Sequence, residues 1–150
     1  MLGKNLLNSV MVTRILAAVA AGQAASASDI LDMEGFEGVL FIAKVGDVTN
    51  ASVLTLEAQS DSVNSADNME RIGDPVTHTA TDATEADDGL LVLDVFKPRE
   101  RYVRAVLTSA TQDAVKDGVI AIQYGARKVP ITQGSTVLDS ATLISPADAA

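Results

Sequence analysis

The chain has no cysteine and no tryptophan, and it has only three phenylalanines and two tyrosines among its 150 residues. Without cysteine, neither disulfides nor thiolate metal sites can hold the fold together. With so few aromatic residues, the core must be built mainly from Val, Leu, Ile and Ala. A chain of this length is nevertheless long enough to bury a hydrophobic core as one domain.

Positive charge is also scarce. Eleven lysines and arginines face 20 aspartates and glutamates, which gives a net charge of −9. Binding to nucleic acid or to an anionic membrane needs a surplus of cations, so this balance disfavours both. It favours solubility at high local concentration, which suits a protein displayed in many copies.

The first 28 residues differ from the rest of the chain. They contain Lys4 and Arg14 and no acid, whereas the remainder contains 9 basic and 20 acidic residues. The segment resembles a secretory leader with an Ala25-Ser26-Ala27 cleavage motif, but Arg14 interrupts its apolar stretch, which is too short to span a bilayer. We therefore expect residues 1–28 to be an N-terminal arm, extended or a short amphipathic helix, that is buried against a partner or a neighbouring copy. Its expected contact residues are Leu6, Leu7, Val10, Arg14, Ile15 and Leu16.

The chain from residue 29 to residue 133 has the patterns of β-strands. Val39–Val45 is a compact apolar run that ends at Gly46-Asp47, and Ala51–Gln59 alternates Leu54, Leu56 and Ala58 with more polar residues. We expect these two segments to form a hairpin. The other predicted elements are strands at Leu90–Phe96, Tyr102–Thr108 and Val119–Tyr124, edge strands at Val76–Thr81 and Val129–Thr132, and a helical turn near Asn68–Ile72. In Tyr102–Thr108, the residues Val103, Ala105 and Leu107 alternate with Tyr102, Arg104 and Val106.

These strands predict the fold class. Turn signals recur about every 8–12 residues, and no long helical periodicity separates the strands, which is typical of an all-β protein. We expect an antiparallel β-sandwich or barrel, of which a jelly roll is one form, over residues 29–133. Residues 134–150 are small and polar, and the sequence leaves open whether they are a loosely attached tail or an edge segment exchanged with a neighbour.

Motifs of catalytic and cofactor sites are not found in the sequence. His78 is the only histidine, lies in a threonine-rich segment without a nucleophile-elbow motif, and is expected to be exposed and idle. One histidine and no cysteine cannot supply the usual ligands of zinc. The acidic stretch Asp82–Asp88 lacks the spacing of an EF-hand, so a solvated loop is favoured over a calcium site. We expect no catalytic residue, no cofactor and no metal site.

One dense basic cluster, grouped around Pro98, is found in the body of the chain. It consists of Lys97, Arg99, Arg101 and Arg104. Two interpretations are balanced. The cluster is either a solvated turn whose cations pair with nearby acids, or a contact patch for an acidic partner surface, a role to which the guanidinium group is suited.

Three stretches carry a resemblance to a known family: DMEGFEGVLFIAKVGDVTNASVLTLEAQ, LLVLDVFKPRERYVRAVL and GVIAIQYGARKVP. They resemble small proteins encoded among the head genes of tailed bacteriophages, which are regarded as capsid decoration, or cement, proteins. The resemblance covers residues 29–130 and is most specific over Leu91–Pro130. It implies a non-enzymatic virion protein, made in the host cytoplasm, that binds in many copies to the outside of the capsid, with the major capsid protein and copies of itself as partners.

Two other functions remain open at the level of the sequence. One is another virion component of β type, such as a tail-tube or head–tail joining protein. The other is a secreted module that binds carbohydrate or a surface, which would fit the leader-like start of the chain.

Overall fold

The structure is a computed structural model that describes residues 5–145. The first four residues of the predicted arm and the last five of the predicted tail therefore lie outside the described residues. One helical turn, α1 (Leu6–Ser9), precedes the strands. The strands are β1 (Met11–Leu16), β2 (Val19–Gly22), β3 (Ala25–Ala27), β4 (Leu31–Asp32), β5 (Gly38–Val48), β6 (Val53–Asp61), β7 (Glu70–Arg71), β8 (Val76–Thr79), β9 (Leu90–Phe96), β10 (Tyr102–Ala110) and β11 (Ala114–Tyr124).

The strands form two antiparallel sheets that pack as a sandwich, which confirms the predicted all-β class. Sheet A has the order β1, β11, β5, β9, and β2 follows β1 along β11. Sheet B has the order β3, β10, β6, β7, with β4 also paired to β10 and β8 also paired to β6. The connections from β5 to β6, from β8 to β9, from β9 to β10 and from β10 to β11 all cross between the sheets.

The core lies between the two sheets and is built from alternate residues of the four longest strands. Phe41, the one fully buried aromatic side chain in it, lies on β5. The inward-facing sets predicted for β6 and β10 are confirmed. The fully or almost fully buried residues of these strands include Val39, Phe41, Ala43, Leu54, Leu56, Ala58, Val103, Ala105, Leu107, Val119 and Ala121.

The predicted hairpin between Val39–Val45 and Ala51–Gln59 is wrong. β5 pairs with β11 on one side and with β9 on the other, so it has no free edge for β6. The turn between them instead carries the chain from sheet A to sheet B. Ala51 has a φ of 69° in this turn, and the Oγ of buried Ser52 donates a hydrogen bond to the carbonyl of Gln112 (2.9 Å). Turn residues in the sequence indicate where the chain reverses. Which strand each segment then pairs with depends on which strands of the sheets still have an unpaired edge.

The N-terminal segment is an edge of both sheets, which corrects the expectation of an arm separate from the body. β1 and β2 pair with β11 in sheet A, and β3 and β4 pair with β10 in sheet B. Ile15 is 2% exposed within the main core. The apolar segment is thus buried against the chain's own strands, and residue 28 does not separate two structural units.

Bulges in β11 help to fix this segment in place. The register shifts on either side of Lys116, and Gly118 has a φ of 120°. A side chain at Gly118 would put its Cβ 2.6 Å from the carbonyl oxygen of Leu16, so only glycine fits beside β1. Buried Lys116 donates hydrogen bonds to the Ala24 carbonyl (2.8 Å) and to Ser26 Oγ (3.2 Å), and its burial lowers its pKa. The lysine therefore ties sheet A to the segment that crosses to sheet B.

The remaining element predictions had mixed outcomes. The edge strand predicted at Val76–Thr81 is confirmed as β8. The helical turn predicted near Asn68–Ile72 is wrong, because the two-residue strand β7 lies there. The strand predicted at Val129–Thr132 is also wrong: this segment has no strand pairing, although the amide of Ile131 donates to the carbonyl of Asn8 (2.8 Å).

The start of the C-terminal tail is fastened along the outer edge of β1. The amide of Val12 donates to Gln133 Oε1 (2.9 Å), and Gln133 Nε2 donates to the carbonyls of Leu7 (3.1 Å) and Val10 (2.7 Å). The amide of Arg14 donates to Thr136 Oγ1 (3.1 Å). Side chains thus take the place of a neighbouring strand here, and residues 138–145 beyond them are all exposed.

Replacing Ile15 with alanine tests the role of the N-terminal segment. We expect Ile15→Ala to lower the free energy of unfolding by about 2–5 kcal/mol, because it leaves a cavity in the core. The control is Leu6→Ala in the same segment, where the side chain is 70% exposed; we expect it to change stability by less than about 0.5 kcal/mol. Both are measured by urea unfolding. Equal, small effects of the two substitutions would contradict the placement of Ile15.

Candidate interaction surfaces

The basic cluster predicted from the sequence lies at one end of the sandwich. The turn between β9 and β10, residues 97–101, projects there as a ridge. Lys97, with a φ of 53°, and Pro98 end β9 and start this turn. We call residues 97–101 the basic ridge.

Arg101 is held within the chain by acidic residues. Its Nε and Nη2 donate to the two carboxylate oxygens of Asp32, each at 2.8 Å, and Nη2 also donates to Glu34 Oε2 at 2.6 Å. The hydrogen bond with Asp32 raises the pKa of Arg101, and it holds the pKa of Asp32 below its ordinary value of 3.8. The bidentate geometry anchors β4 to the start of β10, so Arg101 serves the fold.

The other three cations of the cluster differ in the contacts that they make within the chain. Arg104 lies on the face of sheet B away from the core, where its Nε donates to Gln59 Oε1 (2.8 Å). Lys97 Nζ lies 3.7 Å from Glu37 Oε1 and 5.1 Å from the centre of the Phe96 ring. Arg99 is exposed and makes no hydrogen bond or ion pair with any residue that the structure describes. Lys97 and Arg99 are therefore the two exposed cations of the basic ridge that are held least within the chain, and we call them the cationic crest.

Two grooves flank the basic ridge. One, of about 590 Å³, runs between the ridge and the Met33–Glu37 loop and includes Arg127. The other, of about 680 Å³, runs between the ridge and the segment from Asn68 to Gly73. Both are lined by carboxylates as well as cations, so a partner would meet a mixed surface with a cationic crest.

The six contact residues predicted in the N-terminal segment do not form one surface. Val10 is 5% exposed and Ile15 is 2% exposed, so both are corrected from contact residues to buried ones. Leu16 is half-buried and packs against the core, and Leu7 is half-buried. Leu6 and Arg14 are exposed.

The outer face of sheet A is a surface that the sequence reasoning missed. Leu90, Val92 and Phe96 of β9 are 60%, 47% and 59% exposed, and Ile120 of β11 is 43% exposed. The register places Val92 and Ile120 on either side of half-buried Ile42 of β5, so one apolar row crosses three strands. We call these residues, with Leu40 and Ile122 in the next row, the apolar face.

The polar groups at the margin of the apolar face are paired. The Tyr124 ring lies over Gly38, where any larger residue would collide with it, and the hydroxyl donates to Asp94 Oδ1 at 2.5 Å. Burial, together with this bond, raises the pKa of Tyr124 to about 12. The signal that marks the face in the sequence is consecutive apolar residues in β9 and β11, since a strand with one solvated face alternates instead.

The acidic stretch Asp82–Asp88 lies at the opposite end of the sandwich. Carboxylates in it accept hydrogen bonds from backbone amides. Asp82 Oδ1 accepts hydrogen bonds from the amides of Thr84 and Glu85, each at 2.8 Å, and these bonds lower its pKa. Asp87 Oδ1 accepts from the amide of Val48 (2.8 Å). Within residues 5–145, no group of three or more His, Asp or Glu side chains is placed to hold a metal ion.

His78, expected from the sequence to be exposed and idle, is half-buried and pairs with Glu85. Its Nε2 lies 2.8 Å and 3.0 Å from the two carboxylate oxygens of Glu85. The bond with His78 is the main cause that lowers the pKa of Glu85. Thr81 Oγ1 also donates to Glu85 Oε1 (3.2 Å). The carboxylate thus stands between hydroxyl and imidazole, which is not the order hydroxyl, imidazole, carboxylate of a hydrolytic triad.

In comparisons with known proteins, no protein-family model and no curated protein sequence matches this chain. Among residues 5–145, no helix has the length and apolar character needed to cross a membrane.

The pairing of Asp32 with Arg101 predicts a dependence of stability on pH. Because the pKa of Asp32 is lower in the folded state than its ordinary 3.8, the stabilisation is fully present above about pH 4 and is lost as the pH falls through the folded value. We expect the wild type to have a higher urea midpoint than Asp32→Asn at pH 7, and the gap to close in acid.

Asp139→Asn is the control, since it removes the same charge from an exposed residue whose carboxylate accepts only from the amide of its neighbour Ser140 in the structure. A gap between wild type and Asp32→Asn that stays constant from pH 7 to pH 2.5 would contradict the role of this ion pair.

Proposed function

We propose that this chain is a structural protein of the virion of a tailed bacteriophage that binds the outer surface of the major capsid protein shell and stabilises it. It is a decoration, or cement, protein, and it acts without catalysis or a cofactor. The observation that carries the proposal is the apolar face of sheet A, where large side chains of β9 and β11 remain 43–60% exposed. Contiguous apolar surface of this kind is typical of a protein that is covered by others in an assembly.

The resemblance of residues 29–130 to phage head proteins supports the choice of assembly. The resembling stretches form β5, β6, β9, β10 and β11, which are the long strands of both sheets. The resemblance therefore covers the long strands of the sandwich but not its N-terminal edge strands β1, β2 and β3. It implies that copies sit on an icosahedral shell, where they bridge neighbouring subunits of the major capsid protein.

The basic ridge is the surface that we assign to the shell. Lys97 and Arg99 project at one end of a chain whose net charge is −9. A small cationic crest on an acidic protein orients each copy toward an acidic partner, while the overall charge keeps free copies apart. One such contact is weak, and binding in many copies adds avidity. Because the chain as a whole has a net charge of −9, the proposed partners do not include nucleic acid or membranes.

The test is binding to empty shells assembled from the major capsid protein of the same phage. We expect full-length protein to add discrete density to the outside of the shell in electron-microscopy reconstructions, and to raise the temperature at which shells disrupt. Shells without added density would overturn the proposal, and density confined to a ring at a vertex or along a tail would favour a joining or tail-tube role.

Neutralising the ridge tests its part in shell binding. We expect Lys97→Gln with Arg99→Gln to weaken binding about tenfold or more, with a smaller loss at high salt because the interaction is screened. The matched control, Lys44→Gln with Gln112→Glu, lowers the net charge equally at the opposite end of the sandwich. Equal binding by both double variants in a sedimentation assay would exclude the ridge as the contact.

A further inference from the structure

We propose that residues 138–145 of one copy bind as an added strand to the open edge of β9 in a second copy. This inference stands apart from the proposed binding to capsids, because it concerns how copies of the chain join one another in solution.

β9 presents a bare strand edge. Among residues 5–145, β5 is the only strand that pairs with β9. At the two ends of this ladder, the amide of Val45 donates to the carbonyl of Gly89, and the amide of Lys97 donates to the carbonyl of Glu37. Since antiparallel pairing alternates, the backbone groups of the even-numbered residues from Leu90 to Phe96 point away from β5.

The side chains at this edge are exposed, and its outward-pointing backbone groups have no strand beside them. Leu90, Val92 and Phe96 are the exposed apolar residues of β9, and Asp94 is the only charged residue in the strand. Proteins usually protect such an edge with charges, proline, a bulge or a covering segment, because it is a template for another strand. β1, the opposite edge of sheet A, is covered in this way by Gln133 and Thr136.

The tail supplies a strand of matching character. Every residue from 138 to 145 is exposed, and Leu138, Leu143 and Ile144 are 97%, 91% and 91% exposed. The segment LDSATLIS has no proline or glycine, a single charge, and two residues, Thr142 and Ile144, of types that favour strands. It is about as long as β9. Pairing would satisfy the free backbone groups of the edge and bury the apolar residues of both segments.

Geometry favours a tail from a second copy over the chain's own tail. The tail leaves the sandwich beside Arg14 on β1, at the far edge of sheet A from β9. Three strand spacings, about 14 Å, separate these edges, whereas residues 137–145 span at most about 30 Å. A tail that crossed its own sheet would have only about half its length left to pair with β9. A tail from a neighbour can pair along the whole strand.

The contact joins two different surfaces, so it is heterologous. Each copy gives a tail and accepts another, which generates a closed ring or an open chain of copies.

The role of tail donor and the role of tail acceptor can be separated in variants. Ending the chain after Val137 leaves an acceptor without a tail. Val92→Pro leaves a donor, because proline removes an amide that points away from β5 and is tolerated at such an edge position.

The experiment is complementation between these two variants, followed by light scattering and native mass spectrometry. We expect the full chain to form oligomers, each variant alone to be a monomer, and an equimolar mixture to form a dimer of one donor and one acceptor. A monomeric full chain, or a mixture that stays monomeric, would overturn the proposal. Self-association of the shortened chain as strong as that of the full chain would show direct pairing of two β9 strands instead.

Crosslinking gives an independent measurement should Val92→Pro fail to fold. The chain has no cysteine, so Asp94→Cys on one copy and Leu143→Cys on another can join only to each other or to themselves. We expect a mixed disulfide dimer under mild oxidation, at least tenfold more abundant than when exposed Val63→Cys replaces Asp94→Cys. With both substitutions in one chain, a predominantly intramolecular crosslink would overturn binding in trans.

Discussion

The constraint on which this structure depends is the pairing of strand edges. A two-sheet sandwich has four outer edges, each with backbone groups that must bond to something. Here the N-terminal segment covers one edge of each sheet, through β1 and β2 on β11 and through β3 and β4 on β10. Lys116 ties the crossing between the sheets, and Gln133 then covers β1 itself. The segments at both ends of the described residues therefore serve the same purpose, whereas β9 of sheet A pairs with no strand of residues 5–145 except β5.

This arrangement explains the unusual composition of the N-terminal segment. Its apolar residues and its lack of acids suit a strand that is laid against the sandwich, because one face is buried and the amides bond to neighbours. Ile15 enters the core, whereas Arg14 on the same strand remains exposed. A leader-like pattern and an edge strand share the same short apolar run, so residue types alone do not distinguish them.

The adhesion that we propose for this protein is divided among separate surfaces. Ion pairs and hydrogen bonds within the chain occupy most of the polar groups that attract attention in the sequence, such as Arg101, His78 and Asp82. The surfaces that we propose for partners are the cationic crest at Lys97 and Arg99, the apolar face of sheet A and the open edge of β9. The crest is suited to orienting a copy on another protein, and the apolar face to burial in an assembly.

The sequence by itself determined the all-β class, the positions of the long strands, and the inward-facing residues of β6 and β10, because these follow from local alternation and from turn residues. Only the tertiary structure decided which strands are neighbours. The hairpin predicted between β5 and β6 is absent since β5 already has two partners, and the predicted arm is an edge of both sheets. The apolar face and the ion pair of Asp32 with Arg101 likewise join residues far apart in the chain. Such contacts depend on which edges and faces remain open once the other strands have paired, and no local pattern records that.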